Sequence, residues 1–190
     1  MRNIFLLLFP LVALFAGESI QNNREGKRIF ISTDSSKEAV PLESALRAGF
    51  EEIHAIDLYV EEHLATIERF GNRPNVHLYY SDSPPILIAI LSSIQEPVLF
   101  WLNVFRKTPF SIWAQEMREK SPILRELAAI GNHPIKTHTI LIGDAHLIGT
   151  AAFDFLTLNQ LTEEIKTINP DYEITSQDNG HILVAKVGKK

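Results

Sequence analysis

Tyr172-Glu173-Ile174-Thr175-Ser176-Gln177-Asp178-Asn179-Gly180-His181-Ile182-Leu183-Val184-Ala185-Lys186-Val187 decides the fold. Tyr172 to Ser176 and His181 to Val187 are β-rich runs, and the four residues between them leave no room for a crossover helix. They form an antiparallel hairpin. Everything upstream has a different rhythm. Arg28 to Thr33 is a short strand, a helix follows from Pro41 to Ala48, and Gly49 stands where a left-handed residue ends a helix. Glu52 to Leu58 is a second strand, and Glu61 to Phe70 carries Leu64, Ile67 and Phe70 at helical spacing. Val76 to Tyr80 repeats the unit, with a helix starting near Pro84-Pro85 and ending before Pro97. Val98-Leu99-Phe100-Trp101-Leu102 is apolar throughout, as befits a strand buried on both faces at the centre of a parallel sheet. Ser121-Pro122 reads as N-cap and N1 of a helix closed by Gly131. Thr139 to Ile142 is a further buried strand, and Thr157 caps a helix running towards Pro170. Five β-α units ending in a hairpin specify an α/β three-layer sandwich: a mostly parallel twisted sheet with a terminal antiparallel hairpin.

Composition bounds the function. The chain of 190 residues fits one domain, and its 18 Lys+Arg against 23 Asp+Glu leave a formal charge of -5 and no basic footprint for nucleic acid. With no cysteine, disulfides, thiolate metal sites and thiol nucleophiles are excluded. No Gly-x-Ser-x-Gly, P-loop or Gly-x-Gly-x-x-Gly text occurs, which argues against serine hydrolysis, nucleotide hydrolysis and dinucleotide redox. Met1-Arg2-Asn3 followed by the apolar run Ile4 to Gly17 reads as a signal peptide over residues 1–19, with Ala16, Gly17 and Ser19 as small residues near a cleavage site. The run is short of the about 20 residues of a spanning helix, so no permanent membrane span is expected. Residues 20–27 then read as a polar lead-in and 28–190 as the α/β domain, with an exported, periplasmic or secreted location; without a functioning signal the protein would be cytoplasmic.

Four segments carry a resemblance: Ala45 to Asp57, Asn75 to Ser83, Phe100 to Asn103, and His133 to Asp144. Together they resemble an uncharacterised bacterial family of class I S-adenosylmethionine-dependent methyltransferase-like proteins of the macrocin O-methyltransferase type, over roughly residues 28–187. The resemblance implies a cofactor crevice at the strands' carboxyl ends. Asp34 would stand near the methionine end, Asp57 at the ribose and Asp82 near the adenine. It also shows departures. The loop Ser32 to Glu38 has no glycine where the family's backbone passes close to the cofactor. The family's fourth strand ends in an aspartate followed two residues on by histidine, where this chain has Asn103 and Phe105. Its fifth strand ends in two aspartates, where this chain has Gly143-Asp144. In the macrocin type such carboxylates hold magnesium, so Asn103 and Asp144 are degenerate metal positions and no metal is expected, leaving Asp144 as the remaining catalytic candidate.

Histidine pairs offer a weaker metal reading: Asp144 with His146 if the fifth strand continues, and His133 with His138. His54 and His77 read as satisfied sheet residues. Trp101, Phe105, Phe110 and Trp113 either line a pocket or pack the core. Two functions follow: an exported, catalytically degenerate methyltransferase-like protein meeting a small molecule or protein, or an active O-methyltransferase acting on a sugar or other small hydroxyl-bearing acceptor.

Overall fold

The computed structural model describes residues 16–33, 39–103 and 121–188. Asp34, Phe105, Phe110, Trp113 and most of the apolar amino-terminal run fall outside these residues. Seven strands form one sheet: β1 Ile29–Ser32, β2 Glu52–Asp57, β3 Val76–Tyr80, β4 Val98–Leu102, β5 Thr139–Ile142, β6 Tyr172–Gln177 and β7 Ile182–Val187. Their order is β3-β2-β1-β4-β5-β7-β6, which puts β4 fourth of seven and fully buried. That is the central place its unbroken apolar run predicts.

β1 to β5 pair in parallel, and β7 enters antiparallel between β5 and the edge strand β6. The hairpin registers Gln177 opposite Ile182 and Tyr172 opposite Val187. Its tight connection is built on positive φ at Asp178, Asn179 and Gly180, a conformation that Asn, Asp and Gly tolerate best.

Helices cover both faces. Residues 16–23 (α1), Val40–Ala48 (α2) and Val60–Phe70 (α3) lie on one side, where Ile20, Leu42, Ala45 and Phe70 pack on Phe30, Ile53 and Leu99. Ser83–Leu91 (α4), Ile123–Asn132 (α5) and Leu158–Ile168 (α6) lie on the other, where Leu87, Leu127, Ile130 and Ile165 pack on Ile31, Phe100 and Ile140. Alternation along the strands divides them, since neighbouring residues of a strand face opposite layers.

Several local expectations hold for the reasons given. Gly49 ends α2 at φ 77°. Thr157 heads α6 in a capping box with Gln160. Others are corrected. Gly131 does not end α5: the helix continues to Asn132, and Pro122 rather than Ser121 is its N-cap. A Cβ on Gly131 would stand 3.4 Å from Cγ1 of Ile168 on α6, an ordinary van der Waals contact. The lead-in expected over residues 20–27 also has a buried face. Ile20 is fully buried and Asn23 donates to Gln177, and Ser19, the last residue of the expected signal segment, packs beside them with its Oγ 2.8 Å from both Gln177 Oε1 and Asp178 Oδ2.

Candidate functional site

Between β1 and β4 the strand order reverses, and β1 is followed on one side by β2 and on the other by β4. A parallel sheet opens its ligand crevice at the carboxyl ends of the strands beside such a switch. Thr33, Asp57, Asn103, Gly143 and Asp144 all stand at or just beyond those ends. The topology therefore gathers residues that are over a hundred positions apart in sequence.

Asp57 ends β2 with its side chain wholly buried. One carboxylate oxygen lies 3.4 Å from Nδ1 of His63, in the first turns of α3, and the His63 ring stacks on Tyr80 at 5.5 Å. Its backbone carbonyl accepts the Ser81 N–H at 3.0 Å. His63 is absent from the sequence-derived candidates. The signal for it was a histidine six residues beyond the strand's last aspartate, close enough for the first turns of the next helix to fold it back over that strand end.

Asp82 is the N-cap of α4. Its Oδ1 accepts the Ser83 N–H at 3.1 Å and its Oδ2 meets the Arg125 guanidinium at 3.1 Å, while Ser83 Oγ hydrogen-bonds the buried Glu126. The carboxylate thus joins α4 to α5, and it suits the positive end of its own helix.

The crevice beside β4 and β5 is shaped by Trp101, which is 6% exposed. Its carbonyl accepts the Thr33 N–H at 3.0 Å, and its ring flanks Gly143. A Cβ on Gly143 would lie 3.0 Å from Cζ2 of Trp101 and 3.8 Å from Oδ1 of Asn103. Glycine is needed there to admit the indole. Neither Trp101 Nε1 nor Thr33 Oγ1 has a hydrogen-bond partner among the described residues.

The strand does not continue past Ile142, so the expected sharing of a strand face by Asp144 and His146 does not arise. Asp144 sits at φ 52° and residues Ala145–Leu147 form a 3-10 turn. His146 packs on His181 instead, ring centroids 4.3 Å apart. Burial pushes the Asp144 carboxyl above its ordinary range, with His146 and His181 partly opposing the shift.

Magnesium requires several hard oxygen ligands in a near-octahedral arrangement. Asn103 offers one amide oxygen, Gly143 no side chain and Asp144 a single carboxylate, so this end of the crevice does not fit the ion. His133 and His138 are also not poised for metal. They lie below the sheet, at the amino ends of the strands. Their rings bond to each other at 3.0 Å, with Ile94 O beside His133 and Val98 N beside His138.

Among the described residues no helix is long and apolar enough to cross a membrane. No protein-family model matches the sequence, and a search of curated proteins finds no match. Solved structures do match. A candidate methyltransferase from Streptococcus mutans in complex with S-adenosylhomocysteine superposes with a TM-score of 0.58 at 12% identity, covering 98% of this chain and 99% of that one. The N-methyltransferase NodS of Bradyrhizobium japonicum gives 0.57 at 8% identity over 94% and 98%. Human N-acetylserotonin methyltransferase in complex with S-adenosylmethionine gives 0.54 at 11% identity over 91% of this chain and 52% of its own. At such identities the likeness is one of architecture, and by strand order, hairpin and superposition the chain has the class I S-adenosylmethionine-dependent methyltransferase fold.

Proposed function

We propose that the protein is an exported methyltransferase-like protein that has kept the fold and lost the chemistry, serving to bind a small molecule or another protein. The observation that carries this reading is the state of Asp57. In this fold the acidic residue ending the second strand is the one offered to a cofactor ribose; here it is buried beneath the following helix and already in contact with His63. Asp82 is likewise engaged as a helix cap and ion-pair partner. At the other end Asn103 and Gly143 stand in place of two of the family's carboxylates, with Trp101 packed against Gly143. The apolar amino-terminal segment supports export, and a mature chain starting at Ile20 would keep Ile20 and Asn23, which pack into the fold.

The test is thermal unfolding of the full chain with and without S-adenosylhomocysteine. A ligand that binds only the native state stabilises it by about 2.7 kcal/mol at a hundredfold excess over Kd. No change in Tm up to millimolar ligand is expected. A rise of several degrees would overturn the reading.

One feature favours a second reading, metal-independent O-methyl transfer to a sugar or other small hydroxyl-bearing acceptor. The half-buried Asp144, its proton affinity raised by desolvation and with His146 and His181 nearby, offers a carboxylate to take up the acceptor hydroxyl's proton. A ligand-induced rise in Tm abolished by Asp57→Asn would select this alternative.

A further inference from the structure

On the other face of the sheet, towards the opposite end from the crevice, three side chains converge. Glu52 and His54 are two apart on β2 and share a face, and His77 of β3 is the direct register partner of His54. Oε1 of Glu52 lies 2.9 Å from Nε2 of His54 and 3.9 Å from Nε2 of His77. The three ligand atoms all fall within 4.8 Å of one another. The two imidazoles stack at 4.9 Å with their planes 25° apart.

We propose that Glu52, His54 and His77 form a binding site for a divalent transition-metal ion of the zinc class. The donor set suits that chemistry: two imidazoles and one carboxylate are borderline ligands, and a zinc site of three protein ligands leaves a position for water. Bonds of about 2.0–2.2 Å in a tetrahedron place donor atoms roughly 3.3–3.5 Å apart, between the 2.9 and 3.9 Å found here. Small rotations of the Glu52 and His77 side chains, which are 44% and 43% exposed, meet that requirement from the solvent side.

An outer contact is also in place. His54 Nε2 donates to Glu52 Oε1 at 2.9 Å and Nδ1 lies 3.1 Å from the Tyr79 hydroxyl; an ion that displaces the Nε2 proton leaves His54 to donate from Nδ1 to Tyr79. Ligating histidines are held in this way. Because Glu52 and His54 come from β2 and His77 from the edge strand β3, the ion would tie the edge of the sheet to its neighbour. This site is independent of the proposed function, since neither crevice residue nor cofactor takes part.

The test uses the full chain, titrated with Zn²⁺ by calorimetry and with Co²⁺ by visible absorption, which reports tetrahedral coordination. One equivalent is expected to bind, raise Tm and give a tetrahedral cobalt spectrum. Tyr79→Phe should weaken binding about 10–100-fold. His77→Ala and Glu52→Gln, both at half-exposed positions that leave the core intact, should weaken it at least as much and remove the metal-dependent rise in Tm. No binding by the wild-type chain would overturn the assignment, as would an affinity that His77→Ala and Glu52→Gln leave unchanged. The second result would place the ion at other histidines, such as His146 and His181.

Discussion

Acidification should unlock the fold at His138, and the size of the effect can be worked out. His138 is fully buried, and its Nδ1 accepts the Val98 N–H at 3.0 Å. Its Nε2 must therefore carry the proton and donate to Nδ1 of His133, which also accepts the Ile135 N–H at 3.3 Å. His133 in turn donates from Nε2 to Ile94 O at 3.1 Å. The chain Val98 to His138 to His133 to Ile94 fixes one tautomer of each ring, both neutral. A further proton on His138 would point at the Val98 N–H. Burial and the neighbouring His133 accordingly push the His138 pKa down to about 3.

The sign follows from proton counting. An unfolded histidine binds a proton below about pH 6.5, whereas the native one stays neutral until about pH 3. This contribution to stability is complete above about pH 6.5 and is lost at roughly 1.4 kcal/mol per unit as pH falls through that window. At about pH 4.5 the loss is about 3 kcal/mol, a large part of the 5–15 kcal/mol that typically stabilises a domain. Urea denaturation of the wild-type chain and of His138→Asn at about pH 7 and about pH 4.5 would measure it. Asparagine can still accept the Val98 N–H but does not titrate, so the variant starts less stable and should lose about 3 kcal/mol less on acidification. Parallel losses in the two proteins would refute the argument.

Three other outcomes follow from packing. Ile20→Ala should cost about 2–4 kcal/mol, because the side chain is fully buried between α1 and the sheet; a change in Tm of under a degree would show that α1 adds nothing to the core. Gly143→Ala should destabilise by about 1–3 kcal/mol, because its Cβ would meet the Trp101 ring at 3.0 Å. The double variant Asn103→Asp, Gly143→Asp should for the same reason fail to bind magnesium in calorimetry, and binding would show that Trp101 gives way.

Local pattern carried the architecture in the sequence. The alternation of strand and helix periods, the apolar run Val98 to Leu102 and the hairpin from Tyr172 to Val187 each depend on residues a few positions apart, and each is seen in the sheet order. Boundaries that rest on one residue were less legible. Gly131 has the look of a helix end, yet the helix runs one residue further, to Asn132. Asp57 and Asp82 stand out in the sequence as acidic residues, one at the end of β2 and one beyond β3, but the sequence does not show what each touches. The ring of His63 and the guanidinium of Arg125 describe what they touch, and both arrive through helix packing.

The sequence by itself determined the main strands and helices from β1 onward, their order and the hairpin, because hydrophobic period and turn chemistry act over a few residues. Only the tertiary structure decided that Trp101 fills the space beside Gly143, that His133 and His138 lock two loops into one neutral chain, and that Glu52, His54 and His77 converge. Those contacts are set by strand order, register and helix placement, which bring distant residues within a few ångströms and leave no mark in the spacing of either partner.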